Sequence, residues 1–171
     1  MEYLQGIKKA KTTEELDRYQ KANQEHNALQ QGERRAYHLR KIRAVSSPAE
    51  FLSIIMDGMD QAKCTLPHFV QMAKDMDQPD LLTVSLMGAK VHGRAFPCFL
   101  GFPLLYSTHG PNFTIECLWL ALNSLQELPK TLYLQLDNCP SMNKNKYIFA
   151  FLAYLVQEDI FDQVAKSFFV G

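Results

Sequence analysis

Two stretches decide how this chain folds: Phe51-Leu52-Ser53-Ile54-Ile55-Met56-Asp57-Gly58 and Thr131-Leu132-Tyr133-Leu134-Gln135-Leu136-Asp137-Asn138. Each is a short apolar run closed by an aspartate and a turn-forming residue. The first is nearly continuous, without period-two alternation, which reads as a strand covered on both faces in the middle of a sheet. The second reads as another strand of the same kind. Between them, Ile115, Leu118, Trp119, Leu122 and Leu125 recur at helical spacing from Phe113 until Pro129 ends the helix. Asn112 is its expected N-cap, and Trp119 with its stripe is expected in the core.

Working outward, Leu81 to Lys90 and Arg94 to Phe102 are strand-like and flank Val91-His92-Gly93, the pattern of a hairpin, with a third strand expected around Pro103 to Ser107. Leu66-Pro67-His68 reads as a loop, and Phe69 to Met76 as one or two helical turns. Beyond the second stretch a helix begins near Asn145, with Tyr147, Ile148, Phe151, Leu152, Leu155 and Val156 forming a wide apolar stripe. Val164 to Val170 reads as a last short strand. Strands alternating with helices in this order predict an α/β fold, a mixed sheet flanked by helices.

The first 48 residues differ in character. Thr12 and Glu15 are spaced as a capping box. Helix-favouring residues then run through Gly32 to Val45, where Ser46-Ser47-Pro48 breaks the helix. Few apolar residues line this segment, so it is expected to pack one shallow face and leave the rest wet. The organisation predicted is a helical arm over 1–48 and a core domain over 49–171.

The 171 residues are 47% hydrophobic and 11% aromatic, which excludes whole-chain disorder. The net charge is zero, so no global field advertises a nucleic-acid or membrane partner. Ten of the 18 Lys and Arg lie in residues 1–50 against seven Asp and Glu, which makes the arm mildly basic and the body mildly acidic. Cys64, Cys98, Cys117 and Cys139 form no Cys-x-x-Cys pair, and they read as reduced thiols of an intracellular protein. The N-terminus lacks the pattern of a signal peptide. The longest apolar run, Ile148 to Val156, is nine residues, too short to span a bilayer, so no membrane role is expected.

Asp57 and Asp137 occupy equivalent places, each just past the end of a buried strand. Ligand sites in open α/β sheets form at the carboxyl ends of strands. If the two strands are neighbours, the carboxylates converge and repel, and a hard divalent cation relieves that repulsion. Mg²⁺ takes one or two protein carboxylates and leaves its other positions to water and phosphate. An aspartate after a strand equally serves as a turn residue whose side chain bonds nearby amides.

The block Ser53 to Lys63, followed by Leu66-Pro67-His68, resembles the opening signature of an uncharacterised transposase-like family of invertebrate mobile elements. Leu132 to Cys139, then Asn143-Lys144-Asn145-Lys146-Tyr147, resembles that family's second signature. The resemblance extends over most of the chain. It implies a ribonuclease-H-like core of the DDE/D transposase and integrase kind, in which acids after the first and fourth strands bind Mg²⁺ or Mn²⁺ and act on DNA. On that analogy Asp57 and Asp137 are the catalytic metal ligands and Asp60 an accessory one. No small-molecule cofactor is implied, and a functional protein of this kind would be nuclear. Two departures bear on activity. Ser141-Met142 stands where the family tends to show Arg-Glu, and the family's later acidic block, the source of a third carboxylate, is expected downstream of Gly171. The core is accordingly expected to be C-terminally truncated and inactive as this chain.

Candidate phosphate contacts are Lys63 near the first aspartate, and Asn138, Lys144 and Lys146 near the second, where a helix start favours anions. Asn143 and Asn145 share that segment. Arg34, Arg35 and Arg40 on the arm are candidates to track a nucleic-acid backbone, as sequence-independent affinity comes from neutralised phosphates; a solvated helix face explains them as well. His68, His92 and His109 share no metal-ligand spacing and read as polar surface.

Overall fold

A computed structural model describes residues 2–59, 64–66, 82–94, 97–103, 110–140 and 142–168. The predicted turns over Phe69 to Met76, most of the third strand expected after Pro103, and Asp60, Lys63, His68, His109 and Ser141 lie outside the described residues.

The arm comprises α1 (Glu2–Lys9) and α2 (Thr13–Ser46). The capping box is half realised: the Thr12 hydroxyl accepts from the Glu15 amide at 3.2 Å, while the Glu15 carboxylate accepts from the Lys11 amide at 3.0 Å. Helix α2 runs straight through Gly32 and stops where expected. At about 1.5 Å per residue it spans roughly 50 Å, about twice the length of an eight-residue strand. Most of it must therefore stand clear of the sheet, and Ala44 is the buried residue it contributes among those described. Helix α1, which the sequence reading did not anticipate, folds back on α2, with Tyr19 seated against Gly6.

The sheet contains β1 (Phe51–Gly58), β2 (Thr65–Leu66), β3 (Leu82–Val91), β4 (Pro97–Pro103), β5 (Thr131–Leu136) and β6 (Gln163–Phe168). Its strand order is β2-β3-β1-β5-β6, with β4 pairing β3. β3 runs antiparallel to β1 and to β4, which realises the predicted hairpin, whereas β5 is parallel to both β1 and β6. The fold is thus a mixed α/β sheet flanked by helices. Leu66, expected in a loop, pairs with Leu82, and Thr65 beside it pairs with Thr83.

Alternation gives this sheet two unlike faces. Leu52, Ile54 and Met56 of β1, Leu132, Leu134 and Leu136 of β5, and Met87, Ala89 and Val91 of β3 point one way. They pack on α3 (Pro111–Asn123) and α4 (Lys146–Gln157) through Cys117, Leu118, Leu122, Ile148, Leu152 and Leu155. Each of those fully buried side chains contributes about 1.5–3 kcal/mol, so this face carries most of the stability. The opposite face is polar: Ser53, Gln135 and Ser167 are buried there, with Tyr133 beside them and Tyr37 and Arg40 of α2 laid over them. The central strands are covered on both sides, as expected, but one cover is a polar seam too tight for water.

Several expectations are corrected. Gly110, not Asn112, is the N-cap residue of α3, because Pro111 takes the first helical position with its fixed φ. The helix ends at Asn123, and the chain covers 124–130 without it, so Pro129 is not the stop. Trp119 is 43% exposed, since the buried face of α3 passes through Cys117, Leu118, Ala121 and Leu122. The stripe on α4 is narrower than expected: Tyr147 and Val156 face solvent. Cys64, Cys117 and Cys139 form no disulfide among the described residues; the Cys98 side chain is outside them.

Candidate functional site at the ends of two parallel strands

The β1–β5 ladder pairs Phe51 with Thr131 and continues in step to Ile55 with Gln135. Asp57 and Asp137 each lie two positions beyond that last pair, at the carboxyl end of adjacent parallel strands. The fold therefore brings the two aspartates to one edge of one sheet, Asp57 continuing its polar face by alternation and Asp137 lying just past the end of β5. In one respect the expectation is corrected: Asp57 is inside its strand, not past it, because β1 goes on pairing with β3 after β5 has ended, with Asp57 opposite Gly88.

The two carboxylates are held differently. Asp57 is exposed and borders an open depression of about 220 Å³ lined with Gly58, Met59, Leu86 and Gly88. Gly88 was not singled out from sequence, yet a glycine inside a strand is a recognised signal of close approach by something else. It brings no side chain of its own beside Asp57.

Asp137 is half-buried and tightly bonded. Its Oδ1 accepts from the Cys139 amide at 3.1 Å and from the side-chain amide of Asn143. Its Oδ2 has no hydrogen-bond donor among the described residues. The turn chemistry that the sequence offered for this aspartate thus occupies one of its two oxygens. Asn143 is 2% exposed, and its Oδ1 accepts from the Thr114 hydroxyl of α3 at 2.9 Å. Its backbone amide donates to the Cys139 carbonyl at 2.8 Å, and its carbonyl accepts from Lys166 Nζ at 2.5 Å. Lys166 lies 4.3 Å from the ring centres of Phe149 and Phe168, and burial there pushes its ammonium down to about 8. Neither Thr114 nor Lys166 was legible as a neighbour of Asp137, because both contacts are long-range.

The other candidates disperse. Asn138 is exposed beside Asp137. Lys144 stacks on Phe168 at 5.4 Å and Lys146 on Tyr147 at 5.2 Å. Asn145 caps α4, accepting from the Tyr147 and Ile148 amides at 3.1 and 3.2 Å. Those amides are already engaged, so a phosphate at this helix start would rest on Lys144 and Lys146. Arg34 and Arg35 are exposed on α2, free to meet a polyanion. Arg40 is not: its guanidinium turns inward, 5.9 Å from the Tyr133 ring centre, and its Nη1 is buried without a partner.

His92 is also not surface. It is 5% exposed, with Nδ1 3.2 Å from the Ser53 carbonyl and 3.1 Å from the Ser53 hydroxyl, and Nε2 2.9 Å from the Tyr37 hydroxyl. A carbonyl only accepts, so Nδ1 carries the proton and Nε2 accepts from Tyr37. Burial pushes the imidazole below its ordinary pKa and the Tyr37 hydroxyl above its own, which keeps this arrangement neutral.

Among the described residues no three His, Cys, Asp or Glu side chains gather as a metal cluster, and no helix is long and apolar enough to cross a membrane. Fold and site together define an α/β sheet domain with a pair of acids at the carboxyl ends of its central parallel strands. Residues 74–171 match the family described as "Domain of unknown function (DUF7869)", and the chain belongs to that family. No curated protein and no solved structure matches the chain.

Proposed function

We propose that the domain has a ribonuclease-H-like core descended from a DDE/D-type transposase or integrase, with metal-dependent phosphoryl transfer on DNA as its ancestral chemistry. The observation that carries this reading is the placement of Asp57 and Asp137 at the same end of two adjacent parallel strands. Among the described residues these are the first and fourth of the five strands longer than two residues, the pair whose acids that resemblance makes metal ligands.

The donor set suits a hard cation. Asp137 offers an oxygen with no protein donor among the described residues, and Asp57 offers an exposed carboxylate beside an open depression. Mg²⁺ or Mn²⁺ bound there would supply Lewis-acid polarisation of a phosphodiester and a more acidic bound water. The chain's own residues do the rest. Asp57 and Asp137 hold the ion between them, and Lys144 and Lys146 stand near the second ligand. Arg34 and Arg35 on the arm add phosphate contacts that fix no sequence. On the resemblance, Asp60 is an accessory ligand and Lys63 a phosphate contact, and a protein acting on DNA in this way would be nuclear.

Titration with Mn²⁺ tests the reading: amide NMR signals around Asp57 and Asp137 broaden in the wild type, and Asp137→Asn abolishes the effect. Broadening that persists unchanged in the variant, or that is confined elsewhere, removes the metal site. A second reading, a non-catalytic interaction module that keeps only the fold, is favoured by the exposed Trp119, Tyr147, Phe149 and Tyr154 on α3 and α4. It predicts that the Asp137→Asn protein keeps every binding property of the wild type.

A further inference from the structure

We infer that Asn143 is the positioning residue of the metal site and that Thr114 anchors its amide. This rests on the reading of Asp137 as a cation ligand and extends it to residues that touch no ion.

A side-chain amide has one end that donates and one that accepts, and the two differ little in shape. Turned one way, Asn143 offers Nδ2 to Asp137 Oδ1; turned the other, it would set oxygen against oxygen. The Asp137 carboxylate, which only accepts, decides between them. The Thr114 hydroxyl, on a residue that is 0% exposed, then donates to Asn143 Oδ1 and holds the amide from its other end. The backbone around the amide is equally constrained. The Asn143 and Lys144 amides both donate to the Cys139 carbonyl, at 2.8 and 3.0 Å, closing the loop that Asp137 begins. Lys166 fixes the Asn143 carbonyl from β6. Oδ1 of Asp137 is thereby tied to this network, and Oδ2 is the oxygen left to meet an ion. Outer-shell groups that orient a ligating carboxylate typically contribute 10- to 100-fold to metal affinity.

The test measures the Mn²⁺ dissociation constant of the full chain by paramagnetic broadening, with amide spectra reporting the fold. Thr114→Val keeps the shape but removes the hydroxyl, and it should weaken Mn²⁺ binding about 10- to 100-fold. Thr114→Ser keeps the donor and should restore wild-type affinity, a rescue that a merely structural role of the methyl group would not give. The wild type supplies an independent readout: on titration with diamagnetic Mg²⁺, the Asn143 side-chain amide protons shift with the midpoint of metal binding. This readout holds even if Thr114→Val does not fold. Should Thr114→Val bind Mn²⁺ as tightly as the wild type while Asp137→Asn does not, the positioning role is wrong and the metal reading stands. An Asn143 amide indifferent to bound Mg²⁺ overturns the positioning role in the same way. A wild type that binds no Mn²⁺ at this edge overturns both.

Discussion

Consider replacing Tyr37 with Phe. The Tyr37 ring meets the His92 ring edge-on with centroids 5.5 Å apart, and Phe preserves that packing. What disappears is the hydroxyl that donates to His92 Nε2 at 2.9 Å. His92 is 5% exposed, so its ring nitrogen is left without a partner and nearly without water. Losing one partner of a buried hydrogen bond costs about 1–3 kcal/mol; with Tyr37 itself only half-buried, about 1.5 kcal/mol is the reasonable figure. For a chain of this size that corresponds to a fall in melting temperature of roughly 3–6 °C. The pH dependence sharpens the test. Burial lowers the folded-state pKa of His92 below 6.5, so between that lowered value and 6.5 the unfolded chain binds more protons than the folded one. Wild-type stability from this group is complete above pH 6.5 and is lost as pH falls through the folded pKa. The Tyr37 hydroxyl donates to the neutral ring and can turn to accept from Nε2–H of the protonated one, so Phe removes a bond from either form. Urea unfolding at pH 8, where the ring is neutral, measures the gap, and at pH 6.5 and 5 the wild type should lose stability as the ring protonates. A Tyr37→Phe protein as stable as the wild type at pH 8 would refute the bond.

Other predictions concern separate parts of the molecule. Gly93 has φ +75°, and an added Cβ would sit 3.3 Å from the Val45 Cα, so Gly93→Ala should cost about 1–2 kcal/mol in urea unfolding through strain and crowding against the end of α2. Lys166 loses its proton near pH 8 when folded and near 10.5 when unfolded, so the unfolded chain binds more protons between those values and stability should rise with pH across that window. Lys166→Met should flatten the rise in stability measured from pH 7.5 to 10. If the arm binds DNA, Arg34→Ala and Arg35→Ala should each reduce the slope of log affinity against log salt by about one. Arg40→Ala should leave that slope unchanged, because its guanidinium is turned onto Tyr133.

How far the sequence reached depended on the range of the interaction it had to report. The strands at Phe51 and Thr131, the hairpin around His92 and the helix capped by Asn145 are encoded in runs of neighbouring residues, and they formed where the pattern placed them. Pairing between β1 and β5 spans 80 positions, so only the resemblance, not periodicity, made Asp57 and Asp137 neighbours. Burial of polar side chains was least legible. His92 looks like a surface residue and Arg40 like a phosphate contact in a linear reading, because their partners come from other elements, and nothing in the runs around Ser53 and Gln135 says that what covers them is polar. Trp119 erred the other way: a hydrophobic stripe defines a helix face to within one residue, and the core took the one through Leu118.

The unequal support of the two aspartates gives a way to separate architecture from chemistry. Asp137 closes a loop: its Oδ1 holds the Cys139 amide and the Asn143 side chain, which in turn ties α3 and β6 to the end of β5. Hydrogen bonds to a charged group contribute about 1.5–3 kcal/mol, so Asp137→Ala should lose about 2 kcal/mol, or roughly 4–8 °C in melting temperature. The Asp57 side chain makes no hydrogen bond or ion pair among the described residues and faces solvent at the rim of its depression. Asp57→Ala should therefore change stability by no more than about 0.5 kcal/mol, and with one carboxylate fewer beside Asp137 it can even gain slightly. If the pair shares a cation, both variants lose Mn²⁺ binding alike although only one is destabilised. Melting curves with and without Mn²⁺ decide the matter: in the wild type the ion raises the midpoint, and in either variant it does not. A stabilisation by Mn²⁺ that survives Asp57→Ala undiminished would mean that Asp137 serves the loop alone and that the ion, wherever it binds, is not held between the two strands.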